Sequence, residues 1–421
     1  MDIHKIFPIL GVVLFLLAID FYSFQALKTI LPGEGNGRKI ANYVFWGFTL
    51  FSIVSYIGFR VLGQAQVPRL FLLFTFSTFF IVYFSKIIVI LFLLVEDLSR
   101  LGILSFSWIK SFGNPEKDLY SPARSAALSK IAAGIAAVPL VSLVYGMVKG
   151  AYKYQIKNVS LQLKNLPNAF EGLKLVQISD VHAGSFYDKD AVRKGIKMIM
   201  DQKPDIVFFT GDLVNNEAVE FEDYIDIFSE IKAPLGVFSV LGNHDYGDYR
   251  NWPSEQAKIQ NLTNLKVLQK RMGWKLLMDE HVKVEKNGDQ IAVLGIQNWG
   301  AKGRFPKYGD LQKAYQGSEN LPVKLLLSHD PSHWEAQVLK DFPEIDVMFS
   351  GHTHGMQFGI EIPGLKWSPV QYMYKQWAGL YEQNSQQLYV NRGFGFIGYP
   401  GRVGIWPEIS VFTLKKGNPS V

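Results

Sequence analysis

The sequence contains no cysteine. Disulfides and thiolate metal sites are thereby excluded, so any bound metal must be held through oxygen and nitrogen. The absence does not separate one compartment from another. Net charge is missing where a nucleic-acid-binding domain would need it. Residues 151–421 hold 30 Lys+Arg against 30 Asp+Glu, whereas residues 1–150 hold 13 against 7. The basic excess therefore belongs to the N-terminal part, beside apolar stretches, where it suits a membrane and its anionic lipids rather than a nucleic acid. At 421 residues the chain is long enough for two or more structural units.

Long apolar runs are abundant in that first part. Ile6–Leu27, Ala41–Leu62, Leu70–Val95 and Ala126–Val148 each reach the roughly 20 residues that cross a hydrocarbon core of about 30 Å. They predict a transmembrane domain over residues 1–150 with four spans, making the protein a multi-pass resident of the cell membrane. The first run is too long, and has too many successors, to read as a cleaved signal peptide. Residues 101–112 are apolar but short and carry Lys110, so they are expected to lie along the interface. Asp20 and Lys86 fall inside spans, where charge is costly. Either they pair or Lys86 snorkels, or they mark a path for protons or substrate. Lys149, Lys153 and Lys157, just after the last span, tilt the following domain towards the cytoplasmic face.

From about Tyr154 the pattern changes to short apolar runs alternating with amphipathic stretches. Leu173–Ser179, Ile206–Thr210, Gly236–Leu241, Val323–Leu327 and Val347–Phe349 read as buried strands. Asp190–Gln202, Glu255–Met272 and Ser332–Lys340 read as helices. Hairpins are expected at Asn287-Gly288 and across Glu382–Ser385, with a further strand at Ile409–Leu414. The fold class is α/β, with a catalytic domain over residues 151–421 whose site lies where strand C-termini meet.

Five blocks follow directly on those strands: Asp180-Val181-His182, Gly211-Asp212, Gly242-Asn243-His244-Asp245, Ser328-His329 and Gly351-His352-Thr353-His354-Gly355. Carboxylate and amide oxygens mixed with imidazoles suit divalent Mn, Fe, Zn or Ni, with Mn favoured. Seven such ligands and a spare histidine are too many for one ion and enough for two. Two ions roughly 3.5–4 Å apart form a clamp for in-line displacement at phosphorus, and lower the pKa of a shared water enough to supply hydroxide near neutral pH. Asp180 and His182, two apart, are expected to leave a strand end on one face, and so are His352 and His354.

In this order the blocks resemble the D-x-H, G-D, G-N-H-D/E, H and G-H-x-H set of the calcineurin-like metallophosphoesterase superfamily. The match runs over roughly residues 172–356 and continues in the style of its membrane-associated bacterial branch. The resemblance implies a layered α/β/β/α domain in which Asp180, His182 and His354 hold one ion and Asn243, His329 and His352 the other. Asp212 would bridge them. His244 would be a catalytic, non-ligand histidine that stabilises the transition state or protonates the leaving oxygen, its ring oriented by Asp245. Met356 stands where many members place a second glycine.

Function is then expected to be membrane-anchored phosphohydrolysis, cleaving a phosphoester or pyrophosphate bond. The partners expected are the bilayer and a phosphorylated, lipid or lipid-linked substrate; similar proteins include UDP-2,3-diacylglucosamine pyrophosphatases and enzymes acting on phospholipids. Alternatives are a soluble phosphodiester substrate, a non-catalytic metal-binding membrane sensor, and a transporter with a regulatory domain. Gly359–Gln376, rich in Pro, Trp and Tyr, either rests in the interface and admits acyl chains or covers a sheet edge. Asn298-Trp299-Gly300, with Lys302 and Arg304, is a second candidate wall. Arg392 and Arg402 either meet a substrate phosphate or are structural. Asp248 and Arg250 either touch substrate or belong to a solvated loop, the reading preferred, and His281 and His333 read as surface or helix residues.

Overall fold

The computed structural model describes residues 3–62, 67–110, 122–303 and 305–419. Contacts divide the chain into two compact units, Met1–Tyr145 and Gly146–Val421.

The first unit is helical: α1 (Ile3–Ile30), α2 (Asn36–Leu62), α3 (Arg69–Lys110) and α4 (Pro122–Tyr145). Among the described residues four helices are long and apolar enough to cross a membrane, over Phe7–Ile30, Asn36–Val61, Leu70–Ile109 and Ala126–Gly150. Residues 101–110 are not a separate segment as expected; they continue α3, while 111 and 112 lie outside the described residues. Nothing between Val95 and Lys110 breaks a helix strongly, since Glu96, Asp97 and Arg100 are tolerated and Gly102 costs only about 1 kcal/mol. At about 1.5 Å per residue, α3 is roughly twice the hydrocarbon thickness. Inside the unit, Lys86 Nζ lies 2.5 Å from Asp20 Oδ1 and 4.2 Å from the Phe45 ring centre, and Tyr83 donates to Asp20 Oδ2 at 3.1 Å. The two charges are thus a hydrogen-bonded pair, as apolar surroundings demand.

Among its described residues the second unit has fourteen strands. In chain order they are β1 (Gln155–Leu163), β2 (Lys174–Ile178), β3 (Ile206–Phe209), β4 (Val237–Ser239), β5 (Lys275–Leu276), β6 (Glu280–Lys286) and β7 (Asp289–Gly295). There follow β8 (Lys324–Leu327), β9 (Val347–Ser350), β10 (Ile360–Ile362), β11 (Leu365–Trp367), β12 (Gly379–Gln383), β13 (Gln386–Val390) and β14 (Glu408–Lys416). They form two six-stranded sheets, ordered β1-β14-β2-β3-β4-β5 and β12-β13-β9-β8-β7-β6, and the separate hairpin β10-β11.

The two sheets pack face to face. Leu175, Phe208, Phe238 and Phe412 of the first meet Val293, Leu325, Phe349 and Tyr389 of the second in one buried cluster. The outer face of the first sheet is covered by the helix Lys189–Met200, through Val192, Ile196 and Ile199, and by Glu255–Arg271, through Leu265 and Leu268. Trp334, Val338 and Phe342 cover the second. The strands β2, β3, β4, β8 and β9 read as near-continuous apolar runs because each is buried on both sides, the condition that parallel inner strands require. The helix expected over Ser332–Lys340 is a π-turn, Trp334–Val338, running into one short α-turn.

Candidate metal centre

Every block's ligand sits two to four residues beyond the C-terminal end of a parallel strand: Asp180 after β2, Asp212 after β3, Asn243 after β4, His329 after β8 and His352 after β9. The first sheet brings three and the second brings two, and the structure converges them on one buried place. Asp180, His182 and His354 offer ligand atoms within 4.8 Å of one another, and Asp212, His329 and His352 do the same. His354 Nε2 is 3.3 Å from Asp180 Oδ1. Asn243 Oδ1 joins the second group, 2.9 Å from His352 Nδ1 and 3.2 Å from His329 Nε2. Asp212 Oδ2 stands between the groups, 3.1 Å from His329 Nε2 and 3.5 Å from His182 Nε2.

The pleat does not aim these side chains as expected. Strand β2 ends at Ile178, and Asp180, His182, Asp212, His352 and His354 all have φ between 48° and 72°. Five consecutive-block residues in the left-handed region are strained backbone, of the kind that clusters at functional sites. The turns exist because the surrounding hydrogen bonds impose them. Asp180, Val181, His182 and Ala183 donate backbone N–H to carbonyls of residues 211–213, and Gly351 donates to His329. A Cβ at Gly242 would collide with Asp212, so the backbone has to pass close to that carboxylate. Met356 also has φ 53°, which explains why glycine suits its position.

The charges are unbalanced without a cation. Burial, helped by the nearby His244 and His329, pushes His182 down to about 3, and burial with His182 and Arg402 close by holds His354 well below its ordinary value. Burial would also lower His329, but the Asp212 carboxylate draws it up to about 10. Burial, with Asp212 nearby, lifts Asp180 to about 6, whereas the surrounding histidines hold Asp212 well below the carboxylate range despite its burial. His182 Nε2 and His354 Nε2 are buried with no hydrogen-bond partner. Two orphaned neutral imidazole nitrogens aimed at carboxylate oxygens fit divalent cations.

Hydrogen bonds behind the cluster fix its orientation. His182 Nδ1 faces Asn215 Oδ1 at 3.1 Å, His329 Nδ1 faces the Thr210 carbonyl at 2.7 Å, and the Arg402 guanidinium reaches His354 Nδ1 at 3.1 Å. His352 Nε2 lies 3.0 Å from Tyr374 Oη and 3.7 Å from Asp330 Oδ2. Asn215, Tyr374 and Asp330 had no sequence signal beyond following a motif or lying in the aromatic loop. Asp245 does not orient the His244 ring. Its oxygens accept from the backbone N–H of Asp212, Leu213, Val214 and Gly242, while His244 Nδ1 faces the Asn215 carbonyl at 2.8 Å.

A cavity of about 260 Å³ opens over the cluster. His244 lines it, with apolar walls from Phe305, Met356, Val370, Met373 and Ile397. The aromatic loop therefore supplies wall, and it is not all loop, since it contains β10, β11 and a 3₁₀ turn at Pro369–Tyr372. The other candidates turn away. Arg392 is buried against Glu408 and Glu361, and Arg402 donates to the carbonyls of Gly393 and Gly395. Asp248 pairs with Lys258 and Arg250 with Glu217. Asn298 donates to the Pro306 carbonyl, Lys302 reaches the Met373 carbonyl at 2.5 Å, and Arg304 lies outside the described residues. His281 sits half-buried on β6. His333 is on a helical turn, as one of the two expectations had it, but it is wholly buried between Ser328 Oγ and Gln337 Oε1 with the Trp299 ring packed 4.5 Å away.

Both parts of the chain resemble known proteins. Residues 173–356 match the family described as calcineurin-like phosphoesterase, and residues 5–151 match that of a probable calcineurin-like phosphoesterase transmembrane domain. A zebrafish (Danio rerio) transmembrane protein with metallophosphoesterase domain is 30% identical over 288 residues, covering 66% of this chain and 61% of that protein. The chain thus spans about three-fifths of that relative's length. The metallophosphoesterase YkuE of Bacillus subtilis is 30% identical over 287 residues, 65% of this chain and 91% of its own. LpxG of Chlamydia trachomatis, a UDP-2,3-diacylglucosamine pyrophosphatase, is 29% identical over 283 residues, 55% of this chain and 81% of its own.

Proposed function

The chain belongs to the calcineurin-like phosphoesterase family, and we propose that it is a membrane-anchored two-metal phosphohydrolase acting on a lipid or lipid-linked phosphoester or pyrophosphate. The observation that carries this reading is the place of Asp212 Oδ2, within 3.5 Å of a histidine from each three-residue group. In it, Asp180, His182 and His354 would hold one cation and Asn243, His329 and His352 the other, with Asp212 offering Oδ2 to both while its Oδ1 accepts from the His244 backbone N–H. Manganese is our first choice among Mn, Fe, Zn and Ni, all of which an oxygen-and-nitrogen donor set can hold. When bound, the pair supplies Lewis acidity and a nucleophile active at neutral pH.

The remaining steps belong to the protein. Asn215 commits His244 Nδ1 as a donor to its carbonyl, leaving Nε2 as the ring's free atom on the cavity wall. With the ring protonated at both nitrogens, Nε2–H would donate to the phosphoryl oxygens in the transition state or pass its proton to the leaving oxygen, leaving the neutral Nδ1–H imidazole. Asp245, by clamping four backbone N–H groups, keeps Asp212 and His244 in register. A cavity of about 260 Å³ suits a phosphoester head and is small for a whole amphiphile, which supports a substrate whose apolar part lies outside it. The name of the Chlamydia relative and the four apolar helices support the same class. Lys149, Lys153 and Lys157 support a cytoplasmic catalytic unit.

The test is hydrolysis of bis-p-nitrophenyl phosphate by the full chain with Mn, beside Asn243→Ala. The wild type should turn over and the variant should not. A metal-saturated but inert wild type would sink the reading. Incubation with a membrane lipid extract, followed by mass spectrometry, identifies the consumed species.

A further inference from the structure

The hairpin β10-β11 is inside out. Its register pairs Ile360 with Trp367, Glu361 with Lys366 and Ile362 with Leu365, around a Pro363-Gly364 turn in which Gly364 has φ 81°. Alternation puts the first and last pairs on one face and the charged pair on the other. In a water-facing hairpin the charged pair points out. Here it points in. Glu361 accepts from the buried Arg392 at 2.8 Å and from Lys157 at 3.3 Å, and Lys366, although exposed along its stem, turns its ammonium in to the Ala378 carbonyl and over the Trp377 ring at 4.8 Å. The apolar pairs are left to the outside, with Ile362 58% and Leu365 48% exposed.

The face does not end with the hairpin. Tyr372, 77% exposed, accepts from Trp367 Nε1 at 3.4 Å, and Met356 and Met373 carry the exposed apolar surface to the rim of the metal cavity. Among the described residues of the second unit, twelve large hydrophobics are exposed, and six of them fall between Met356 and Met373. Scattered exposed apolar residues need no explanation, but half of them in 18 residues make a patch with a partner.

We propose that the face Ile360–Ile362–Leu365–Tyr372 is a bilayer-docking surface, which beds the mouth of the metal cavity into the acyl–headgroup boundary. Three features select lipid over protein. The exposed side chains are aliphatic at the tip, with a Trp–Tyr pair behind them, the order in which aromatic rings mark a membrane interface. Glu361 is paired inward and the Lys366 ammonium is turned back onto a carbonyl and an aromatic ring, so the Ile362-Pro363-Gly364-Leu365 tip itself carries no charged group into an apolar phase. The same chain carries four helices long and apolar enough to hold it at a membrane. The inference is independent of the substrate, since an enzyme cleaving a soluble phosphodiester could dock the same way.

The absence of cysteine makes the test clean. Leu365→Cys, Tyr372→Cys and, as a water-facing control, Lys270→Cys in the helix Glu255–Arg271 are each labelled with bimane in the otherwise unaltered full chain. The chains are placed in phosphatidylcholine nanodiscs with and without doxyl-labelled lipid. A tip bedded roughly 5–10 Å into the interface should lose at least about half its emission at 365 and 372 and little at 270. Equal quenching at all three positions overturns the proposal. So does shielding of 365 and 372 from aqueous iodide without doxyl quenching, which would mean that a second copy or another protein covers the face. The readout needs no turnover, so an inactive enzyme leaves it intact.

Discussion

His244 and Asp245 are neighbours in sequence with separate tasks. His244 lines the cavity and is held by one carbonyl; Asp245 is fully buried and holds four backbone N–H groups. Replacing His244 by Ala should cut kcat for bis-p-nitrophenyl phosphate by about 10²–10⁴ while two equivalents of Mn remain bound by elemental analysis. Asp245→Asn points an amide against donors, so it should cost about 1–3 kcal/mol of stability and release metal as well. Equal metal loss in both variants would refute the division of roles. His333 gives a residue-level prediction of another kind. Burial lowers it to about 4 from an ordinary 6.5. Above 6.5 both states are neutral; as pH falls towards 4 the unfolded chain takes a proton that the folded one refuses. Stability should therefore drop over that window by about 3 kcal/mol, at about 1.4 kcal/mol for each pH step of the shift. In His333→Gln, melting curves at pH 7 and pH 5 should lie closer together than in the wild type.

At the scale of elements, the strand ends were legible because each ligand block follows an apolar run that two packed sheets require. The four spans were legible from length and hydropathy alone. What escaped is what non-local pairing decides. β1 carries Lys157, Asn158, Ser160 and Gln162 at scattered positions, and it exists because all nine of its residues pair in parallel with β14, some 250 residues away. Asn215, Asp330 and Tyr374 act as single residues, with no spacing to announce them. The left-handed turns at Asp180 and His352 follow from hydrogen bonds to other strands rather than from local propensity. Those turns are testable. A Cβ at Gly351 would meet Ser179 Oγ and Asp180 Oδ2 well inside contact distance. Gly351→Ala should thus displace Asp180 and lose one of two metal equivalents, with far-UV circular dichroism unchanged. Retention of both equivalents would show that the turn is not what positions the carboxylate.

Taken whole, the second unit draws its site from both sheets, so cations bound there would tie the layers together across β2–β4 and β8–β9. Asp212 and Asn243 come from the first sheet, His329 and His352 from the second, and their approach leaves Asp180 and Asp212 buried near one another. Without cations that arrangement crowds two carboxylates against four histidines, of which burial keeps three neutral. Binding to the folded chain alone adds stability as RT ln(1 + [L]/Kd), about 4 kcal/mol at a thousandfold excess over Kd. Chelation of the full chain in detergent should therefore lower the melting midpoint of the second unit, and Mn should restore it together with activity. The helical first unit, whose charged pair Asp20–Lys86 is satisfied internally, should melt at the same temperature with or without metal. Calorimetry would then show one transition that moves with Mn and one that does not. Two immobile transitions would leave the converging side chains without the cations that their chemistry requires.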